Sequence, residues 1–303
     1  MIQQRSLAYT APATGVEEDE VPGPTVGVGD IRLVTMLLGG LIGAGIASTS
    51  YEQKEIDHWL IFMLVAALLG VAAGESFGFG LSRWAEVKQY HVIKRWRVWF
   101  SVLIVLIIAA GMIASTPFIF NGKDNLTQNG IALSVLAIIG GLPIALTLSA
   151  IKQVVADPLP GSPGQQLDAQ LRLRRMASRM LSQLGLLVLL VMGVNAAAQD
   201  WGKTTQDPNV VIFSGVVASF VVGMMYVPTA STLRRRGAIY IERHFALTNV
   251  PKSELITAAE DRQKLEKMLG LDQTTFGELK AGLVVLTPVV VGLIASFIPG
   301  VVK

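Results

Sequence analysis

The chain has no cysteine, only three histidines and few charged side chains. Without thiols there is no disulfide, no thiolate metal site and no cysteine nucleophile, and either redox compartment suits such a chain. His58, His91 and His244 lie far apart and form no H-x-x-x-H spacing, so no metal site is expected. Charged residues make up 16% of the chain, against about 25% in soluble domains. Chemistry-bearing motifs are missing too. There is no HExxH, phosphate loop, nucleophile motif or pair of intramembrane acids, so neither an enzyme nor a cofactor is expected. GGLIGAG at 39–45 has the wrong glycine order for a dinucleotide loop and continues as an apolar run.

What the chain does have is apolar length. Of its 303 residues 51% are hydrophobic, and the mean hydropathy is +0.53. Seven apolar segments run about 31–48, 59–81, 97–120, 130–151, 181–198, 210–230 and 282–301. A helix needs about 20 mostly apolar residues to cross the hydrocarbon. The expected fold is therefore all-α, a polytopic helical membrane protein of about seven transmembrane helices. Pro288 and Pro299 leave a re-entrant loop as the alternative for the last segment.

Charge placement sets the orientation. Of the 25 Lys and Arg, only Lys54, Lys123, Lys203 and Lys303 fall on one side of the alternation; the other 21 share the opposite side. The positive-inside rule then predicts the N-terminus in and the C-terminus out. Trp59 and Trp201 fall at the expected outer boundary, and Trp84, Trp96 and Trp99 at the inner one, as aromatic belts do. The expected location is a bacterial cytoplasmic membrane.

Four parts follow from this map. Residues 1–30, with the acidic run 17–20, read as a disordered cytoplasmic tail; a basic start leading into an apolar run, the mark of a signal peptide, is missing. Residues 31–230 form a six-span bundle of three in–out–in hairpins. Residues 231–281 form a cytoplasmic helical segment of two or more helices, and 282–303 the seventh span. Within the third part, Asn249 is a candidate cap for a helix from Pro251 to Gly270, and Asp272 or Thr274 opens another. Ser162-Pro163-Gly164-Gln165 matches a capped helix start, leading along the membrane surface into the fifth segment. The outer loops NGKDNLTQN (121–129) and WGKTTQDPN (201–209) echo each other weakly, as a duplicated hairpin would.

Glycine spacing marks the packing faces. Gly70, Gly74 and Gly78 repeat every fourth residue, and Gly215, Ser219 and Gly223 do the same in the sixth segment, which predicts close helix approach at both. Glu75 is the one acid well inside an apolar segment, about 24 Å from Trp59 along the helix. An unpaired carboxylate there costs several kcal/mol, so it needs a partner, water or a proton. Arg32 is the nearest candidate partner, as a structural ion pair or as part of a proton- or cation-linked site. Asn195, Pro143 and Thr287 complete the candidate binding set, the last two because Pro143, and Pro288 after Thr287, free backbone carbonyls in mid-membrane. Arg95, Arg97, Arg172, Arg174, Arg175, Arg234, Arg235 and Arg236 suit anionic lipid head groups on the cytoplasmic side. Their place beside spans argues against nucleic acid. A homo-oligomer or a partner membrane protein is a further expectation.

Two functional classes follow. One is a transporter or channel moving an ion or small solute, proton-linked through Glu75. The other is a membrane-embedded scaffold, assembly factor or regulatory effector whose cytoplasmic helices bind a partner protein. A polar cavity at Glu75 favours the first; a closed bundle with an apolar groove on 231–281 favours the second.

Overall fold

The computed structural model describes residues 27–51, 56–89, 93–120, 125–157, 159, 161–198, 209–247 and 250–272. These residues form seven α-helices: α1 Gly27–Ser48, α2 Ile56–Val87, α3 Arg95–Phe120, α4 Asn125–Ala156, α5 Pro163–Ala197, α6 Asn209–His244 and α7 Leu255–Met268. The first six are long and apolar enough to cross a membrane. The chain is thus a multi-pass helical membrane protein. The expected seventh span, with Thr287 in it, lies outside the described residues.

Side-chain contacts fix how the helices run. Trp59 Nε1 donates to the Ala47 carbonyl at 3.3 Å while Arg32 pairs with Glu75, so α1 and α2 are antiparallel. Gly140 meets Ala73 and Pro143 meets Gly80, which makes α2 and α4 parallel. Met192 lies over Gly215 and the Tyr240 hydroxyl donates to the Pro163 carbonyl at 2.9 Å, so α5 and α6 are antiparallel. One end of the bundle therefore gathers Ala47, Trp59 and Asn129. The other gathers Arg32, Glu86, Arg172 and Tyr240, the basic end of the charge map.

Burial is greatest at the centre. Half of the apolar window of α4 is buried, against 17% for α1 and 22% for α3. The core joins α2, α4, α5 and α6 through residues such as Phe62, Leu69, Ile144, Leu148 and Met180, all under 2% exposed. Leu41 at 71% and Ile107 at 62% face outward. In water such a surface would drive aggregation; in hydrocarbon it is the solvated face.

α5 and α6 outrun their apolar stretches furthest. At 1.5 Å per residue, the 35 residues of α5 extend about 52 Å and the 36 of α6 about 54 Å, well past a roughly 30 Å hydrocarbon core. The expected division at residue 230 falls inside α6, which runs on to His244. Its extension repeats apolar residues at helical spacing (Leu233, Tyr240, Ile241), and all three are buried, so packing continues the helix beyond the lipid-matched part. As expected, α5 runs without a break from its cap at Ser162 into span five. Ser162 and Gln165 do form the expected capping box: Ser162 N–H donates to Gln165 Oε1 at 2.9 Å, and Gln165 N–H to Ser162 Oγ at 3.5 Å. α7 ends as expected at Gly270 (φ +58°) but begins at Leu255 after a turn in which Glu254 N–H donates to the Pro251 carbonyl. The candidate cap Asn249 lies outside the described residues.

Candidate functional site

Among the described helices, α1 and α2 meet backbone to backbone along a seam of glycines. A Cβ placed on Gly74 would fall 1.9 Å from the Thr35 carbonyl oxygen, and one on Gly70 2.0 Å from that of Gly39. Reciprocally, Gly39 and Gly43 admit no Cβ, which would meet Gly70 O at 2.1 Å and Ala66 O at 2.2 Å. Backbone lies on backbone here, the arrangement that small residues four apart allow. Gly78 is looser, with Thr35 Oγ1 at 2.9 Å. The sixth segment behaves differently from the expectation. Gly215 receives the Met192 side chain, and a Cβ on Gly223 would meet none of the described residues within 4 Å. Neither glycine meets the backbone of another described helix: a long side chain lies over Gly215, and no described helix approaches Gly223.

Glu75 sits where that seam opens toward the basic end, and its carboxylate accepts from Arg32 Nη2. The side chains are 23% and 44% exposed. The Arg32 guanidinium also lies 5.8 Å from the centroid of Phe79, and that of Arg83 lies 5.2 Å from the same ring. Arg83 then pairs with Glu86 at 2.5 Å, and Glu86 with Arg172 of α5 at 2.7 Å. Glu75, Phe79, Arg83 and Glu86 follow one another at three- or four-residue steps, so they form a stripe along α2. At one end the stripe ties down α1, at the other α5. Glu86 and Arg83 were absent from the sequence candidates. The signal was present in S-R-W-A-E, an i,i+3 pair at the end of a span, but its partner Arg172 is 86 residues away.

Pro143 is buried, and its ring and carbonyl carbon approach the backbone of Gly80. Thr147 Oγ1 lies 2.8 Å from the Pro143 carbonyl and 3.1 Å from the Gly80 carbonyl, so its one proton serves both. The break in α4 is occupied by helix packing. Ser76, fully buried and next to Glu75 in sequence, has an Oγ with no partner among the described residues. Asn195 is far from all of this, at the opposite end, with its Oδ1 in reach of Gly130. Nearby, Asn129 Nδ2 donates to Thr49 Oγ1 at 2.9 Å and to Ser50 Oγ. The structure does not bring Asn195 and Pro143 together with Glu75.

At the basic end, α5, α6 and α7 make a second small core of Tyr240, Ile241 and Leu269, flanked by Leu167, Leu171, Leu265 and Leu271. α7 joins it through a Schellman turn: Leu271 N–H donates to the Glu266 carbonyl at 2.8 Å and Gly270 N–H to that of Lys267 at 3.0 Å. The guanidinium of Arg174 occupies the space a side chain at Gly270 would take, with Nη2 1.5 Å from an ideal Cβ. A cation at a helix C-terminus is favourable. The rest of α7 has no buried residue, and Ile256 is 73% exposed. Between α6 and α7 lies a groove of about 530 Å³, walled by Ala238, Ile241, Ala246, Leu247 and Leu271, with the Arg262–Glu266 pair (2.9 Å) along one side.

The arginines thus divide. Arg95, Arg97, Arg175 and Arg235 are exposed, while Arg174 and Arg234 are half-buried and line a common cavity. Arg236 lines another with Arg243 and His244, and Arg172, although 57% exposed, is engaged by Glu86. Comparison with known protein families, curated proteins and solved structures finds no match to this chain.

Proposed function

We propose that the protein is a membrane-embedded scaffold or regulatory effector of a bacterial cytoplasmic membrane, its basic end inward and its α5–α7 module engaging a partner protein. The observation that carries this reading is the groove between α6 and α7, about 530 Å³ with mostly apolar walls, beside a helix that buries none of its own residues among the described ones. A pocket of 300–1,000 Å³ lined by apolar side chains is the usual size of a recognition site. The chemistry at Glu75 supports the same side of the argument. Its carboxylate is matched by Arg32, the Pro143 break is filled by Gly80 and Thr147, and Glu75 lines none of the three cavities described here.

Transport remains the second reading, favoured by one observation. Ser76 Oγ is buried with no partner among the described residues, one residue from Glu75, as an ion or water site would require. One pair of measurements separates the two. The cysteine-free chain accepts a single Ala246→Cys, to which a photo-crosslinker is attached in cells. A scaffold gives an adduct of defined mass that Ile241→Arg in the groove removes, and reconstituted vesicles show no proton or cation flux sensitive to Glu75→Gln. Flux lost in Glu75→Gln, with no groove-dependent adduct, overturns the scaffold in favour of transport.

A further inference from the structure

Two small cavities meet at Gln170. The one enclosed by α5, α6 and Leu269 has a polar wall of Gln170, Arg174, Tyr226 and Arg234, and its volume is about 20 Å³. That is room for one water-sized group. Gln170 is 3% exposed and its Oε1 has no hydrogen-bond partner among the described residues. A buried amide end without a partner is uncommon enough to ask what completes it. Turned over about its last torsion, the same amide offers an NH₂ to an occupant that accepts.

Depth identifies the occupant. Arg174 precedes the start of the fifth apolar stretch at Leu181 by seven residues, about 10 Å along the helix, and Arg234 follows the end of the sixth at Ala230 by four, about 6 Å. Both guanidiniums therefore sit at the level of lipid phosphates, between two spans, on the basic side. Basic pockets in that position recognise anionic head groups. We propose that this chamber is a phospholipid site, taking one anionic phosphoryl oxygen between Arg174 and Arg234, with the Gln170 amide as a further donor. The site stands apart from the partner reading, but it shares a wall with α7. Leu269 closes the chamber, and Arg174 also fills the corner at Gly270. Head-group occupancy and the seating of α7 are therefore coupled.

The test uses the full chain exchanged into detergent, with phosphatidylglycerol as the probe and native mass spectrometry as the readout. Arg234→Gln and Gln170→Leu should each lower the retained lipid about tenfold, the worth of a charge-assisted hydrogen bond lost from a buried site. Arg235→Gln, an exposed neighbour with the same charge change, should lower it less than about twofold. Gln170→Leu leaves the charge untouched and decides the matter should Arg234→Gln fail to fold. Equal loss in Arg235→Gln, or full retention in Gln170→Leu, overturns the proposal. Displacement of all bound lipid by millimolar inorganic phosphate also overturns it, making the occupant a free anion.

Discussion

Gly74→Ala tests the α1–α2 seam most directly. The added methyl would lie 1.9 Å from the Thr35 carbonyl oxygen, 2.6 Å from its carbon and 3.0 Å from Met36 Cα. Those atoms are backbone, so no rotamer change relieves the contact, and an ordinary carbon–oxygen separation requires α1 to withdraw by more than 1 Å. Overpacking of this kind costs about 1–3 kcal/mol. Separation at Gly74 also opens the Gly70–Gly39 approach and the weak Cα–H···O contacts there, at about 0.5–1 kcal/mol each. A loss of about 2–4 kcal/mol is therefore expected. Gly223→Ala is the matched control, because none of the described residues lies within 4 Å of its Cβ position. Steric-trapping or thermal unfolding in a fixed detergent measures both. Gly74→Ala within about 0.5 kcal/mol of the parent, or Gly223→Ala equally damaging, would refute the backbone-contact reasoning.

Four further outcomes follow from particular contacts. Glu75→Ala should destabilise by about 3 kcal/mol, since it leaves Arg32 unmatched beside hydrocarbon, and the double variant with Arg32→Ala should recover part of the loss; a double-mutant cycle of the same unfolding assay checks this. Glu86→Gln weakens its contacts with Arg83 and Arg172 together, but Arg172 is 57% exposed, so about 1 kcal/mol is expected. Gly270→Ala places a side chain both at φ +58° and on the Arg174 guanidinium, and should release α7 with the bundle intact; limited proteolysis between 250 and 272 should speed up while the far-UV spectrum holds. Labelling in sealed vesicles should reach Lys88 and Lys123 from opposite faces, and a common face would end the orientation.

How much of this the sequence displays depends on the physics involved. Spans were legible because hydrocarbon demands continuous apolar length, and the Gly70–Gly74–Gly78 seam because four-residue spacing is local. Arg32 was legible as the partner of Glu75 because a short hairpin places the start of α1 beside the later part of α2. Gly215, Ser219 and Gly223 carry the same local pattern, but what faces a stripe is decided by the other helix: Met192 lies over Gly215, and no described residue approaches Gly223. Hydropathy also marks where lipid ends rather than where a helix ends. That is why α6 runs past Ala230 to His244, carried by packing of Tyr240 and Ile241 against α5. Glu86 with Arg172, and Arg174 with Gly270, join residues 86 and 96 positions apart, which no local spacing announces.

The two stripes of α2 bear on function together. The glycine stripe brings α1 close enough for Arg32 to reach Glu75, and the charged stripe carries the constraint through Phe79 and Arg83 to Glu86 and on to α5. A carrier cycling a proton on Glu75 would have to part that carboxylate from Arg32 in every turnover. The departing guanidinium sits on a helix whose backbone is locked against α2 at Gly39, Gly43, Gly70 and Gly74, so side-chain motion alone must supply the separation. Rigid seams of this kind suit a frame that holds something in place. What the frame holds is α5, whose extension past the bilayer carries Arg174 to the corner of α7. On the scaffold reading proposed above, α7 is the part that would respond, since among the described residues it buries none of its own and is seated through Leu269 and Gly270.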